Sequence, residues 1–301
     1  MSAQPGYPIR YIEPVFRPPS EANSLILPVT DGCSWNKCTF CEMYTAPQKK
    51  FRARSEDEVL DMIQRSGEAF GDGVHRVFLA DGDALVLPTR RLLRILEAID
   101  RHMPSVERVT SYCLARNLRR KSVEELTELR EAGLQMAYLG AESGDDTVLE
   151  KVNKGETFDS TRAALDKLGE AGIARSVMIL NGLGGEKYSD RHADNSARLA
   201  NASQPEYLAT LVVSFPQGEQ RFREGFPEFQ PLDRIGLFRE MRRFIDALAL
   251  ENTVFRSDHA SNWLVLKGTL NRDREQMLAQ LDQAIDAPDR APLRPDWLRG
   301  L

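Results

Sequence analysis

Ser24-Leu25-Ile26-Leu27-Pro28-Val29 is a short apolar run that leads directly into Thr30-Asp31-Gly32-Cys33-Ser34-Trp35-Asn36-Lys37-Cys38-Thr39-Phe40-Cys41. The run has the length and composition of a buried strand, and the glycine that follows opens a loop. Three cysteines then fall within nine residues. Thiols spaced this closely can converge on one face of a metal centre, and thiolate is a preferred ligand of both zinc and iron–sulfur clusters. A structural zinc site is normally closed by four protein ligands. Neither a cysteine nor a histidine follows Cys41 at a spacing that would supply the fourth. The triad therefore favours a cubane cluster with one open iron, with a zinc-stabilised loop as the alternative. Trp35, Phe40 and Tyr44 are placed to shield such a centre from water.

Working outward, the pattern of apolar run and amphipathic stretch repeats. Strands are expected over Ser24-Val29, Arg76-Ala80, Arg108-Ala115, Gln135-Gly140, Ala174-Leu180 and Tyr207-Ser214. Few of these alternate polar with apolar, as expected of parallel strands covered on both faces. Helices are expected over Ser55-Gly67, Thr89-His102, Ser122-Gly133, Thr157-Gly172 and Ser189-Ala202. Ser55, Thr89 and Ser122 stand at N-cap positions, and Gly67, Gly133 and Gly172 at C-cap positions. Six βα repeats predict an α/β fold, a partial (β/α)6 TIM-like barrel with right-handed crossovers. A doubly wound open sheet fits the same string less well. Functional residues are then expected at the C-terminal ends of the strands.

The flanks differ from this core. Residues 1–23 are proline-rich and read as an extended arm, 24–214 as the barrel, and 215–301 as a small C-terminal α+β extension covering the barrel mouth. The extension holds helices near Leu232-Ala249 and Arg272-Ala287, with a strand and loop over Asn252-Leu266. With 40 Lys+Arg against 45 Asp+Glu the formal charge is −5, which weighs against a polyanion partner. No apolar run reaches the ~18 residues that span a bilayer. The first 20 residues carry five prolines with Arg10 and Arg17 and no secretory h-region, so a cytoplasmic, reducing location is expected. In that setting clustered cysteines indicate metal or redox chemistry rather than disulfides.

The cysteine loop after a first strand resembles that of the radical S-adenosylmethionine (radical SAM) superfamily, which holds a [4Fe-4S] cluster by three cysteines. The family's common spacing has three residues between the first two cysteines, whereas here Ser34-Trp35-Asn36-Lys37 makes four. Phe40 keeps the aromatic position of the Cys-x-aromatic-Cys ending. Asp81-Gly82-Asp83 stands where the family has its Gly-Gly-Glu motif for the methionine amino group. Gly140-Ala141-Glu142-Ser143-Gly144 and Lys154 resemble the branch near oxygen-independent coproporphyrinogen oxidases and methylthiotransferases. There the polar side chain and the base contact S-adenosylmethionine (SAM). Asn181-Gly182-Leu183-Gly184-Gly185-Glu186 is similar to the family's turn beside adenine, and Met178 stands where some relatives carry a ribose-binding acid.

The resemblance implies Cys33, Cys38 and Cys41 as cluster ligands. It implies SAM contacts at Phe40, Asp81, Gly82, Asp83, Glu142, Ser143, Lys154, Gly182 and Gly184, with ribose contacts from Ser111, Arg116 or Asn117. Implied activity is reductive SAM cleavage and hydrogen abstraction from a small-molecule substrate. The implied partners are an electron donor such as flavodoxin or ferredoxin, with neither membrane nor nucleic acid. A SAM- or haem-binding carrier on the same fold is the non-catalytic alternative.

Four further features complete the reading. Cys113, inside a strand, is expected to be core. Lys49, Lys50, Arg52 and Arg54 read as a solvated basic face. His75, His102 and His192 read as surface residues. Ser257-Asp258-His259-Ala260-Ser261-Asn262 is a polar loop in which His259 and Asp258 are catalytic candidates, a histidine there being able to donate or accept a proton.

Overall fold

The computed structural model describes residues 7–299. Compactness divides the chain into two units, residues 1–36, 43–139 and 166–175 in one and residues 37–42, 140–165 and 176–301 in the other.

In the first unit the chain forms β1 (Leu25–Pro28), α1 (Glu56–Phe70), β2 (Arg76–Ala80), α2 (Thr89–His102), β3 (Arg108–Cys113), α3 (Val123–Glu131) and most of β4 (Leu134–Glu142). Strands β1, β2, β3 and β4 pair in parallel in that order, with Leu25 opposite Val77, Arg76 opposite Arg108 and Thr110 opposite Met136. Phe78, Ala80, Met136 and Tyr138 form a buried cluster against Ile26 and Tyr112. α2 buries Leu92, Ile95, Leu96 and Ile99, the stripe its sequence predicts. The arm is tied down by Glu21, which is fully buried and pairs with Arg108 at 2.8 Å.

The second unit carries the end of β4, α4 (Asp146–Lys151), most of α5 (Phe158–Glu170), most of β5 (Ala174–Asn181), α6 (Gly185–Ser203) and β6 (Tyr207–Val212). It continues through α7 (Gln220–Gly225), α8 (Arg234–Asp246), β7 (Val254–Ser257), β8 (Leu266–Thr269) and α9 (Arg274–Asp286). β5 pairs with β6 and β6 with β7 in parallel, and β8 closes antiparallel on β7. The C-terminal α+β segment thus extends the strand system, and α8 packs on both α6 and α9. A second core, of Val148, Val152, Leu180, Leu183, Phe222, Phe226 and Phe229, takes Phe40 at its edge.

The expected strands and helices appear with shifted ends. Ser55 and Ser122 cap as predicted, each accepting from a backbone N–H three residues on. Thr89 is instead the first helical residue after Pro88, and Gly67 lies inside α1, which ends at Gly71 with φ +52°. α6 begins at Gly185 rather than Ser189, because the glycine turn itself forms the helix start. No helix among the described residues is long and apolar enough to cross a membrane.

Candidate active site at the strand ends

The end of β2 gathers two buried carboxylates. Ala80-Asp81 is a cis peptide, and Gly82 follows with φ +72°. A Cβ on Gly82 would lie 2.0 Å from the carbonyl oxygen of Gly32, so only glycine allows the cysteine loop to approach this closely. Asp81 is ion-paired to the Lys49 ammonium, both side chains about 1% exposed. Burial pushes its carboxyl up from the ordinary value against the pull of Lys49. The Tyr44 hydroxyl accepts the Gly82 N–H at 3.1 Å.

Asp83 is buried and, among the described residues, receives only neutral donors. Its Oδ1 accepts the Ser34 N–H at 2.8 Å, and its Oδ2 accepts Ser34 Oγ and Asn117 Nδ2, the latter at 2.9 Å. Burial raises its pKa, opposed by these donors and by the charge of Arg116. A carboxylate offers about four lone-pair sites, so Oδ1 keeps capacity for one further donor. Arg116 stacks on Trp35 at 3.7 Å, and Asn117 also accepts the Leu114 N–H at 2.7 Å. The Ser111 hydroxyl has the backbone carbonyls of Tyr112 at 2.9 Å and Leu79 at 3.2 Å as acceptors for its single proton. Of the three ribose candidates, Asn117 therefore meets Asp83 directly, while Ser111 serves the strand.

The end of β4 holds the opposite arrangement. Glu142 sits at φ +66°, a left-handed conformation that costs a non-glycine residue roughly 1–2 kcal/mol. Its Oε1 accepts from Lys154 Nζ at 2.9 Å, and both side chains are buried. A Cβ at Gly140 would meet that oxygen at 2.1 Å, so a glycine is needed beside the pair. Burial alone would push the Lys154 ammonium down. The charges of Glu142, Cys38 and Cys41 more than reverse this and hold it above its ordinary value. Lys154 also lies 5.9 Å from the Phe40 ring centroid. The base thus faces two of the three cysteines and the aromatic between them.

After β5, Gly182 takes φ +86° and Gly184 packs against Tyr188, where a Cβ would contact its backbone at 3.0 Å. Met178 is half-buried in β5. His259 follows β7, and its Nδ1 accepts the Ser261 N–H at 3.1 Å. Burial lowers its pKa. Asp258 pairs with Lys267 at 2.8 Å. Ser261 and Asn262 accept the Val212 N–H, and Asn262 donates to Thr210, so this loop continues the hydrogen bonding of β6.

Cys33, Cys38 and Cys41 are half-buried thiols in no disulfide, while Cys113 is buried as expected. The Asn36 N–H points at Cys33 Sγ at 3.5 Å. Soft thiol donors, one receiving a backbone N–H and two facing an ammonium, fit the chemistry of an iron–sulfur cluster. Among the described residues no group of three or more His, Cys, Asp or Glu side chains is placed to hold a metal ion, so Cys33, Cys38 and Cys41 share a loop without converging on one centre.

Two readings need correction. Lys49 and Arg54 are not a solvated face: Arg54 is buried against Asp31 at 2.9 Å, which also holds Arg52 at 2.8 Å. Their partners, Asp31 and Asp81, lie too far along the chain for a local charge run to reveal them. His192 is not at the surface. It is buried on α6, with Nδ1 2.8 Å from Ser143 Oγ and Nε2 3.8 Å from Glu240. Glu240 escaped the sequence reading, although an acid among Leu237, Met241 and Phe244 on the apolar face of α8 was a legible signal.

Residues 27–197 match the radical SAM superfamily. A heme chaperone, HemW of Bacillus subtilis (strain 168), is 21% identical over 184 residues, 58% of this chain and 47% of the relative. The chain therefore spans about half the length of that curated relative. Coproporphyrinogen III oxidase (HemN) from Escherichia coli, described as a radical SAM enzyme, superposes with TM-score 0.55 at 14% identity, covering 74% of this chain and 52% of that one. Methylornithine synthase (PylB) gives TM-score 0.52 at 17% identity over 75% of this chain and 63% of that one. At these identities the likeness is one of fold, and it agrees with the α/β partial barrel expected from the strand and helix pattern.

Proposed function

The chain belongs to the radical SAM superfamily, whose members use a [4Fe-4S] cluster and SAM, and on that premise we propose that it is a radical SAM enzyme acting on a small molecule. Cys33, Cys38 and Cys41 would hold the cluster. Together, when bound, the reduced cluster and SAM supply one-electron cleavage of the sulfonium carbon–sulfur bond and hydrogen abstraction by the 5'-deoxyadenosyl group. Lys154 would pair with the SAM carboxylate, and Asp83, through its remaining lone pair, would accept the methionine ammonium. Glu142 keeps Lys154 charged and aimed. The turn at Gly182 and Gly184 lets the backbone approach adenine. An external electron donor such as flavodoxin or ferredoxin is required, and the 215–301 segment, with Asp258 and His259, is the place to seek substrate contacts.

The observation that carries this reading is Lys154, buried on Glu142 and facing Cys38, Cys41 and Phe40. A plain structural ion pair needs no thiols in front of its cation. The likeness to a heme chaperone favours a second reading, a carrier that binds without turnover. Anaerobic reconstitution with iron and sulfide, followed by SAM and dithionite, tests both. The enzyme releases 5'-deoxyadenosine. A brown protein that binds SAM and haem without cleaving SAM, even with candidate substrates, is the carrier. A colourless protein with stoichiometric zinc contradicts both.

A further inference from the structure

Glu240 is a buried carboxylate on α8 with no lysine or arginine in contact among the described residues. Such a charge is costly unless every oxygen is hydrogen-bonded. Here Oε1 accepts from Asn181 Nδ2 at 2.7 Å and from the Gly182 N–H at 2.6 Å, and Oε2 accepts from Ser189 Oγ at 2.6 Å. The three donors are the last residue of β5, the glycine that follows it, and Ser189 in the second turn of α6. Gly182 is in the left-handed region, and a Cβ there would meet Leu237 of α8 at 2.7 Å. One helix therefore supplies both the packing surface and the acceptor for this turn.

Beside the same carboxylate lies a histidine that is bonded to a second strand end. His192 Nε2 faces the acid at 3.8 Å, and Nδ1 meets Ser143 Oγ, which already accepts the Asp145 N–H at 3.0 Å. With Nε2 toward the acid, the ring proton belongs on Nε2 and Ser143 donates to Nδ1, a tautomer assigned from its partners. Ser143 directly follows Glu142. From α8, one acid thus holds the end of β5 and the start of α6, with His192 packed beside it at 3.8 Å, beyond hydrogen-bond distance.

We infer that Glu240 is the positioning residue that fixes the SAM-facing end of β5, an inference that rests on the SAM-binding reading above. It touches neither cofactor nor reacting atoms. Its effect should appear as affinity for SAM at constant cluster content, because Cys33, Cys38 and Cys41 lie outside the network.

The test uses the full chain, reconstituted anaerobically, with three readouts: iron content, SAM affinity by equilibrium binding, and the SAM-induced change in the electron paramagnetic resonance signal of the reduced cluster. Glu240→Ala should keep wild-type iron and bind SAM at least about tenfold more weakly, since two or more charge-assisted bonds are lost. Its spectral change should need correspondingly more SAM. Glu240→Gln, which preserves an acceptor for Asn181 and Gly182, should return to within about threefold of wild type. Equal SAM affinity in wild type and Glu240→Ala overturns the inference alone, and so does a Glu240→Gln as weak as Glu240→Ala. Wild-type protein that takes up iron but binds no SAM overturns the reading beneath it, and the inference with it. Should Glu240→Ala fail to fold, Ser189→Ala decides: a loss of about threefold supports the role, and unchanged affinity overturns it.

Discussion

The ends of β2 and β4 both bury carboxylates, yet they are neutralised in different ways. At β4, Glu142 has its counter-charge from Lys154 on the next connection, and that ammonium also faces Cys38 and Cys41. At β2, Asp81 is matched by Lys49, while its neighbour Asp83 has, among the described residues, only Ser34 and Asn117 as donors. A buried acid already paired with an internal cation gains little from an external one. An acid held by neutral donors, its pKa raised by burial, gains a great deal. The comparison is in line with the proposed roles of Lys154 toward an anion and of Asp83 toward an ammonium, and with Lys49 as the partner of Asp81.

The largest effect expected is all-or-none. Cys38→Ala should abolish iron uptake while Cys113→Ala, in the core of β3, leaves it unchanged. Iron analysis of the two variants separates them, and loss in both would mean the ligand set is wrong. Next, Lys154→Met should reduce SAM affinity by about 100-fold and lower unfolding stability by roughly 3 kcal/mol, because Glu142 is left buried and unpaired. Adding Glu142→Gln should restore most of the stability and none of the binding. If both recover, Lys154 serves the fold alone. Lys49→Met should cost a similar ~3 kcal/mol in denaturant unfolding, recovered by Asp81→Asn, as expected of a pair whose role is structural.

The smallest effect belongs to Asp83. Asp83→Asn should weaken SAM binding by roughly tenfold, the loss of one charge-assisted bond. It should also alter the pH dependence of stability. The folded pKa lies above 3.8, so from about pH 3.8 up to that raised value the native state binds more protons than the unfolded chain. Stability of the wild type therefore falls as pH rises through this window, and the Asn variant should lack that slope. A wild type that instead gains stability there, relative to the variant, would show that Ser34 and Asn117 outweigh burial.

What the sequence could reveal follows from distance along the chain. Strands β1 to β6 were legible because each is a compact apolar run between turn signals. Glu142 and Lys154 were legible because they share one connection. Asp83 could be placed after β2, but not its tie to Ser34, which depends on how the cysteine loop folds back. The basic run around Arg52 misled because burial of Lys49 and Arg54 is decided by Asp81 and Asp31, invisible to a local reading. β8 was missed since Leu266-Lys267-Gly268-Thr269 has little strand character by itself and forms only against β7. Glu240, His192 and Ser143 come from three separate elements, and only the fold brings them together.

In the proposed site three cysteines hold a [4Fe-4S] cluster whose remaining iron is open to SAM. Mössbauer spectroscopy of the anaerobically reconstituted protein, with and without SAM, tests it most directly. A [4Fe-4S] spectrum is expected in which one iron site shifts on SAM addition while the cysteine-bound irons do not. A cluster indifferent to SAM, or a protein that takes up zinc and no iron, would contradict it.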